Sequence, residues 1–293
     1  MAFLRERLDN GLEVIAETSA HAVSTSVGFF VNTGSRDESD LLWGTSHFLE
    51  HMIFKGTESV SGDEINRRFD AMGASANAYT AEEDTVYYAT VLPDRQADAV
   101  DLIARMMRPA LREEDFSTEK LVILEEIRMY DDQPPFGADD QCRAAFFGDH
   151  PLARSVLGTV ESITALPVEA MRDYHHRRYA PGTMVLAATG AVDFPALVAD
   201  ARRLCGGWES QPDTTRLRPD APDRAARPGT TRIVRPSATL EEPASRPLPR
   251  ENDAAGELVP RLVELRAGDA AGGRVTIDLE NPLELRVDGI GVA

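Results

Sequence analysis

Several things are scarce in this chain. It holds two cysteines in 293 residues, Cys142 and Cys205. Neither belongs to a cluster with metal-ligand spacing, so both are expected as reduced core or surface thiols. No apolar run approaches the roughly 18 residues that a membrane-spanning helix needs. No secretory apolar core precedes Leu4, so a soluble, cytoplasmic protein is expected. Basic residues are outnumbered: 31 Lys and Arg against 49 Asp and Glu, for a net charge of −18. That balance argues against nucleic-acid partners and against anionic membranes. It would steer basic peptides inward, although a solvated acidic surface is the plainer reading. A glycine-rich phosphate loop and a nucleophile elbow are both absent. Aromatic residues stop at Trp208.

That last absence divides the chain. Eight of the 18 prolines fall between Glu209 and Leu258, among Asp, Arg, Thr and Ala. Residues 209–258 therefore read as a Pro-rich disordered linker. In 259–293, two alternating runs, Val275 to Leu279 and Leu283 to Val287, flank Glu280-Asn281-Pro282 and suggest a short β-hairpin. These apolar residues are too few for an independent domain of about 100 residues.

Residues 1–208 are richer in pattern. Asn10-Gly11 separates two alternating runs, Arg5 to Asp9 and Glu13 to Glu17, as a hairpin turn does. Strands are expected at Ser24–Asn32, Ala74–Thr80, Thr85–Leu92 and Thr183–Thr189. Helices are expected from about Trp43 to Phe54, from a Ser61 cap to Met72 with Gly73 as its stop, and over Pro93–Met107. Further helices are expected over Glu113–Tyr130, Asp139–Phe147, Val168–Arg178 and Phe194–Cys205. Strand hairpins mixed with helices indicate an α+β fold on a largely antiparallel sheet.

The strongest chemical signal is Gly44-Thr45-Ser46-His47-Phe48-Leu49-Glu50-His51, which contains H-x-x-E-H. On a helix His47 and His51 project from one face, one turn apart, and can share a divalent metal. Glu50 lies close enough to reach a water on that metal without being a ligand. Taken alone, the motif also fits two surface histidines with no metal. Downstream, the helix around Phe116 to Tyr130 carries Glu119 and Glu126, seven apart on one stripe, with Ser117 or Asp115 available to cap it. Such a face suits a third metal ligand with a supporting carboxylate behind it. Glu125 points elsewhere and is expected to be solvated or paired.

With Leu8-Asp9-Asn10-Gly11-Leu12, Gly44 to Thr57, Asn77-Ala78-Tyr79-Thr80, Val122 to Met129, Leu157-Gly158-Thr159 and Tyr179-Ala180-Pro181 in this order, residues 4–208 resemble the pitrilysin/insulinase family of zinc peptidases, in its processing-peptidase-like branch. The resemblance implies a sheet of about six strands packed with helices. It implies one zinc ion per chain on His47, His51 and Glu126, with Glu50 as general base and Glu119 as a supporting acid. Glu119 can equally be read as an ordinary salt-bridged helix acid. It also implies that Asn77, Ala78, Tyr79 and Thr80 form an edge strand that pairs with a peptide or unfolded polypeptide. The plainer alternative is a structural strand with Tyr79 in the core.

Tyr87 and Tyr88 are expected to pack, His21 and His150 to sit in loops, and His175 and His176 to join Arg177 and Arg178 on a solvated face. The resemblance implies a second domain of similar fold beside this one, and residues 209–293 are not expected to supply it. Another chain or a second copy would then complete the chamber, in a homo- or hetero-oligomer; otherwise the chain is a weakly active or non-catalytic derivative.

Overall fold

The computed structural model describes residues 2–132 and 137–209, and of the later chain the backbone of 231–234, 263–266, 274–277 and 284–288. The chain divides into two units, Met1–Met129 with His150–Arg218, and Tyr130–Asp149 with Pro219–Ala293.

In the first unit, β1 (Ala2–Arg7) and β2 (Glu13–Thr18) form the hairpin around Asn10-Gly11. β3 (Thr25–Val31) follows, then α1 (Thr45–Ile53), α2 (Gly62–Met72), β4 (Ser75–Thr80) and β5 (Thr85–Val91). α3 (Gln96–Met106) leads to the long α4 (Glu113–Asp132), whose last residues enter the second unit. The second unit holds α5 (Ala138–Phe147). The first unit resumes with α6 (Val160–Ala165), α7 (Val168–Arg178), β6 (Met184–Gly190) and α8 (Phe194–Cys205).

Six strands make one sheet in the order β1-β2-β6-β3-β5-β4. Only the β2–β6 pair in it is parallel. Register places Val14, Leu186, Phe29 and Tyr87 in a row across four strands, and all four are buried. Each contributes about 1.5–3 kcal/mol by leaving water. α1, α3 and α8 pack against the sheet. The adjacent residues Phe30 and Tyr88 alternate to the opposite face and stay 41% and 36% exposed. Tyr88 is thus less packed than expected, because neighbours on a strand point to opposite sides.

Helix boundaries follow local chemistry. The Ser61 hydroxyl accepts from the Glu64 amide at 3.3 Å and opens α2, and Gly73 closes it at φ 62°. α4 differs from expectation. It starts at Glu113, so Asp115 and Ser117 lie inside its first turns and do not cap it. Its first turn-closing bond runs from the Phe116 amide to the Arg112 carbonyl. The acids Glu113, Glu114 and Asp115 suit the positive end of the helix dipole.

α7 also corrects the sequence reading. Met171, His175 and Arg178 share one i, i+4, i+7 stripe, and that stripe turns inward. His175 Nε2 lies 3.1 Å from the Met107 carbonyl and its ring packs on Tyr179 at 4.7 Å. Burial, followed by the nearby Arg108 charge, pushes the imidazole down to about 4. Arg178 donates to the Asp37 carbonyl at 3.0 Å. Among the four residues expected on a solvated face, only His176 and Arg177 are exposed.

In the second unit, β7 (Thr231–Val234), β8 (Val263–Arg266), β9 (Arg274–Ile277) and β10 (Glu284–Asp288) form an antiparallel sheet in the order β7-β10-β9-β8. β9 and β10 lie on the two runs expected to pair. β7 falls inside the span expected to be linker, where Thr231-Arg232-Ile233-Val234 is a proline-free, β-branched stretch. Apart from Glu209 and β7, the 209–258 expectation lies outside the described residues. No helix among the described residues is long and apolar enough to cross a membrane.

Candidate metal centre

The site is built on α1, and α1 depends on what precedes it. Gly44 takes a left-handed φ of 90° before the first helical residue. A Cβ there would lie 2.7 Å from the Leu157 carbonyl oxygen and 2.9 Å from Gly158 Cα, so only glycine fits. This moves the helix start from the expected Trp43 to Thr45. The carboxylate of Glu38, 5% exposed, accepts from the Gly44 amide at 2.7 Å and the Ser46 amide at 2.6 Å. It satisfies amides that the helix cannot satisfy itself. α1 is then fixed to α4 by the stack of Phe48 on Phe116, with ring centroids 4.7 Å apart.

That stack brings the two signal stretches together. His47 and His51 project side by side, their ring centroids 4.8 Å apart. Glu126 Oε2 reaches 3.7 Å from His47 Nε2 and 3.8 Å from His51 Nε2. Donor atoms of all three lie within 4.8 Å of one another. Ligands on 2.0–2.1 Å bonds to a tetrahedral ion sit about 3.3 Å apart, so a small inward movement would seat one cation.

Electrostatics favour the same use. Burial, with a smaller contribution from His51, pushes His47 down to about 3, so its ring is neutral and keeps a lone pair. His47 Nδ1 is buried and has no hydrogen-bond partner among the described residues. Burial raises Glu126 above the usual carboxylate range; Glu119 adds to the effect and His51 opposes it. Together the three side chains offer two nitrogens and one oxygen, a donor set that suits zinc.

Glu119 lies behind the site. It is 5% exposed, its Oε1 is 2.9 Å from His51 Nδ1, and its Oε2 is 2.5 Å from Lys55 Nζ. Burial works to raise its pKa, but Lys55 and His51 outweigh that and hold it below the usual range. Of the two sequence readings, a salt-bridged acid and a support for the metal ligands, the geometry fits both at once. Glu125 points outward and pairs with Arg128.

Glu50 flanks the ligands. Its Oε2 accepts from the Thr80 hydroxyl at 2.6 Å. Burial raises its pKa and Glu126 adds to this, against the lowering effects of Thr80 and His51. Thr80 is the last residue of β4, the strand at one edge of the sheet. Asn77 and Tyr79 alternate to the opposite face, and Tyr79 is 45% exposed rather than in the core. The structure therefore gathers His47, His51, Glu126, Glu119, Glu50 and Thr80, and leaves the side chains of Asn77 and Tyr79 on the other side of the strand. Ala78 shares Thr80's side.

Glu38 and Lys55 are absent from the sequence reading. Lys55 lies four residues after His51, a spacing that could have flagged it. Glu38 acts from a loop and has no local pattern.

Fold and donor set together define an α+β protein in which His47, His51 and Glu126 could hold a metal ion. The chain belongs to the insulinase family of peptidases, peptidase family M16, which it matches over residues 13–160. A second match, to the peptidase M16 inactive domain, covers residues 165–246. An uncharacterized zinc protease of Mycobacterium leprae is 42% identical over 214 residues, 71% of this chain and 48% of that protein. A probable mitochondrial-processing peptidase subunit beta of Arabidopsis thaliana is 36% identical over 209 residues, 71% of this chain and 39% of that one. A crystal structure of a protease from Helicobacter pylori shares the fold, with a TM-score of 0.71, 22% identity, and coverage of 75% of this chain and 54% of that one. The chain spans about half the length of curated relatives that it matches.

Proposed function

We propose that this chain carries the catalytic site of a zinc-dependent endopeptidase or oligopeptidase. The observation that carries the reading is the convergence of His47, His51 and Glu126 with Glu50 set beside them. Relatives named zinc protease and processing peptidase subunit support it. His47, His51 and Glu126 would hold one zinc ion. Zinc supplies a Lewis acid that polarises a scissile carbonyl and makes water acidic enough to ionise near neutral pH.

The chain's own residues do the rest. Glu50 takes a proton from the attacking water and returns it to the leaving amine. Thr80 occupies Oε2 of Glu50, which leaves Oε1 for that exchange. The edge of β4 from Asn77 to Thr80, which no strand among the described residues pairs with, binds the peptide main chain as an added strand, so side-chain identity matters little to affinity. Glu119 holds His51 by Nδ1 and leaves Nε2 for the metal.

A second reading follows from the chain's share of its relatives' length, which is about half. In it the chain is a weakly active or non-catalytic partner, and another domain or chain completes the peptide chamber. The Glu50→Gln variant separates the two. Under the catalytic reading it keeps zinc and loses hydrolysis by about 10²–10⁴-fold or more. Wild-type cleavage by that variant would sink the role of Glu50. No cleavage by the unaltered chain, alone or with candidate partners, would favour the second reading.

A further inference from the structure

We infer that Lys55 is a positioning residue of the metal centre, fixing the His51 ring through Glu119. This role presupposes the zinc site proposed above and extends it to a side chain that is not itself among the ligands.

Lys55 lies two residues past the end of α1, after Phe54, and its amide bonds the Met52 carbonyl at 3.1 Å, so the last turn of the helix sets its place. Its Nζ lies 2.5 Å from Glu119 Oε2, while Glu119 Oε1 lies 2.9 Å from His51 Nδ1. Each carboxylate oxygen is thus held by a different donor. The carboxylate cannot swing about its axis without losing one of them. With Nδ1 engaged, the remaining ring nitrogen, Nε2, is the one directed toward Glu126, 3.8 Å from Oε2. Groups that hold the distal nitrogen of a histidine ligand fix both its tautomer and its aim.

An exposed ion pair contributes little, and Lys55 is itself 39% exposed. Its partner is not. The Glu119 side chain is 7% exposed, so water cannot readily replace Lys55 at Oε2. The contrast lies on the same helix, where Glu125 and Arg128 pair with both side chains exposed. Loss of the Lys55 contact is therefore felt at the carboxylate and passes to His51, whereas loss of the Arg128 contact ends at the surface.

The test is a zinc dissociation constant, measured by chelator competition on the full chain, with thermal unfolding of each zinc-free variant as a folding control. Lys55→Met weakens zinc binding about 10- to 100-fold, the range seen when a group supporting a metal ligand is removed. Lys55→Arg restores affinity to within about threefold, because it keeps the charge and a donor. Arg128→Met leaves affinity unchanged. In a Glu119→Gln background Lys55→Met adds no further loss, since its effect travels through that carboxylate.

Wild-type affinity in Lys55→Met, or an equal loss with and without Glu119, overturns the inference. Should Lys55→Met fail to fold, Lys55→Gln and Lys55→Arg carry the same comparison: weakening by the first and rescue by the second support the role, and equal affinities overturn it. Failure of the zinc site itself is distinguishable. In that case the unaltered chain binds no zinc, or binds it equally well after His47→Ala.

Discussion

Thr80 donates its hydroxyl to Glu50, Oγ1 to Oε2 at 2.6 Å, and so joins the edge of the sheet to the helix that carries both histidines. One residue thus joins the strand proposed to bind a peptide to the side chain proposed to act on water. A base at Glu50 would be tied in position to that strand, and the first prediction follows from this tie.

Thr80→Val keeps the shape and removes the donor. It is expected to lower kcat about 10- to 150-fold with little change in KM, the cost of one hydrogen bond to a charged group being about 1.5–3 kcal/mol. Zinc content stays at the wild-type level, and Thr80→Ser recovers most of the rate. Steady-state kinetics on a peptide substrate, with metal analysis alongside, check it. An unchanged kcat would mean that Glu50 needs no such anchor.

Glu38→Gln tests the entry to α1. Both oxygens of Glu38 accept backbone amides. Glutamine presents one oxygen and one N–H₂, so one buried amide of the first turn loses its acceptor. The expected loss is about 1–3 kcal/mol of folding stability, measured by urea unfolding. A variant as stable as the parent would show that Gly44 and the packing of α1 hold the helix start without the carboxylate.

The reach of sequence reasoning follows the range of each interaction. His47, Glu50 and His51 are legible because helical spacing is local, and Glu119 with Glu126 for the same reason. Ser61 and Gly73 mark the ends of α2 by turn chemistry alone. The Glu38 cap is not legible, because a loop must close before its carboxylate meets Ser46. The contact of His51 with Glu119 spans 68 residues and depends on Phe48 meeting Phe116. His175 is not legible because the stripe that turns inward runs from Met171 into two chargeable residues, His175 and Arg178. β7 was hidden by the prolines around it.

His175 supplies a pH prediction. Its imidazole has an ordinary value of 6.5 and is held down to about 4 in the fold, by burial first. Between those values the unfolded chain binds a proton that the folded chain refuses. Stability from this residue is therefore complete above about pH 6.5 and lost as pH falls toward 4, by about 3 kcal/mol in all. In His175→Gln the unfolding free energy should change less over that window than in the parent, and the difference between the two should be constant above pH 7. Parallel curves from pH 4 to 7 would contradict the assignment. Groups common to both chains cancel in the comparison.

Zinc-edge anomalous diffraction from crystals of the full chain grown with zinc shows whether His47, His51 and Glu126 share one ion. A single strong peak is expected in the first unit, bonded to His47 Nε2, His51 Nε2 and a Glu126 oxygen at about 2.0–2.2 Å. A peak elsewhere in that unit, or no peak between the two imidazoles at saturating zinc, would contradict this arrangement.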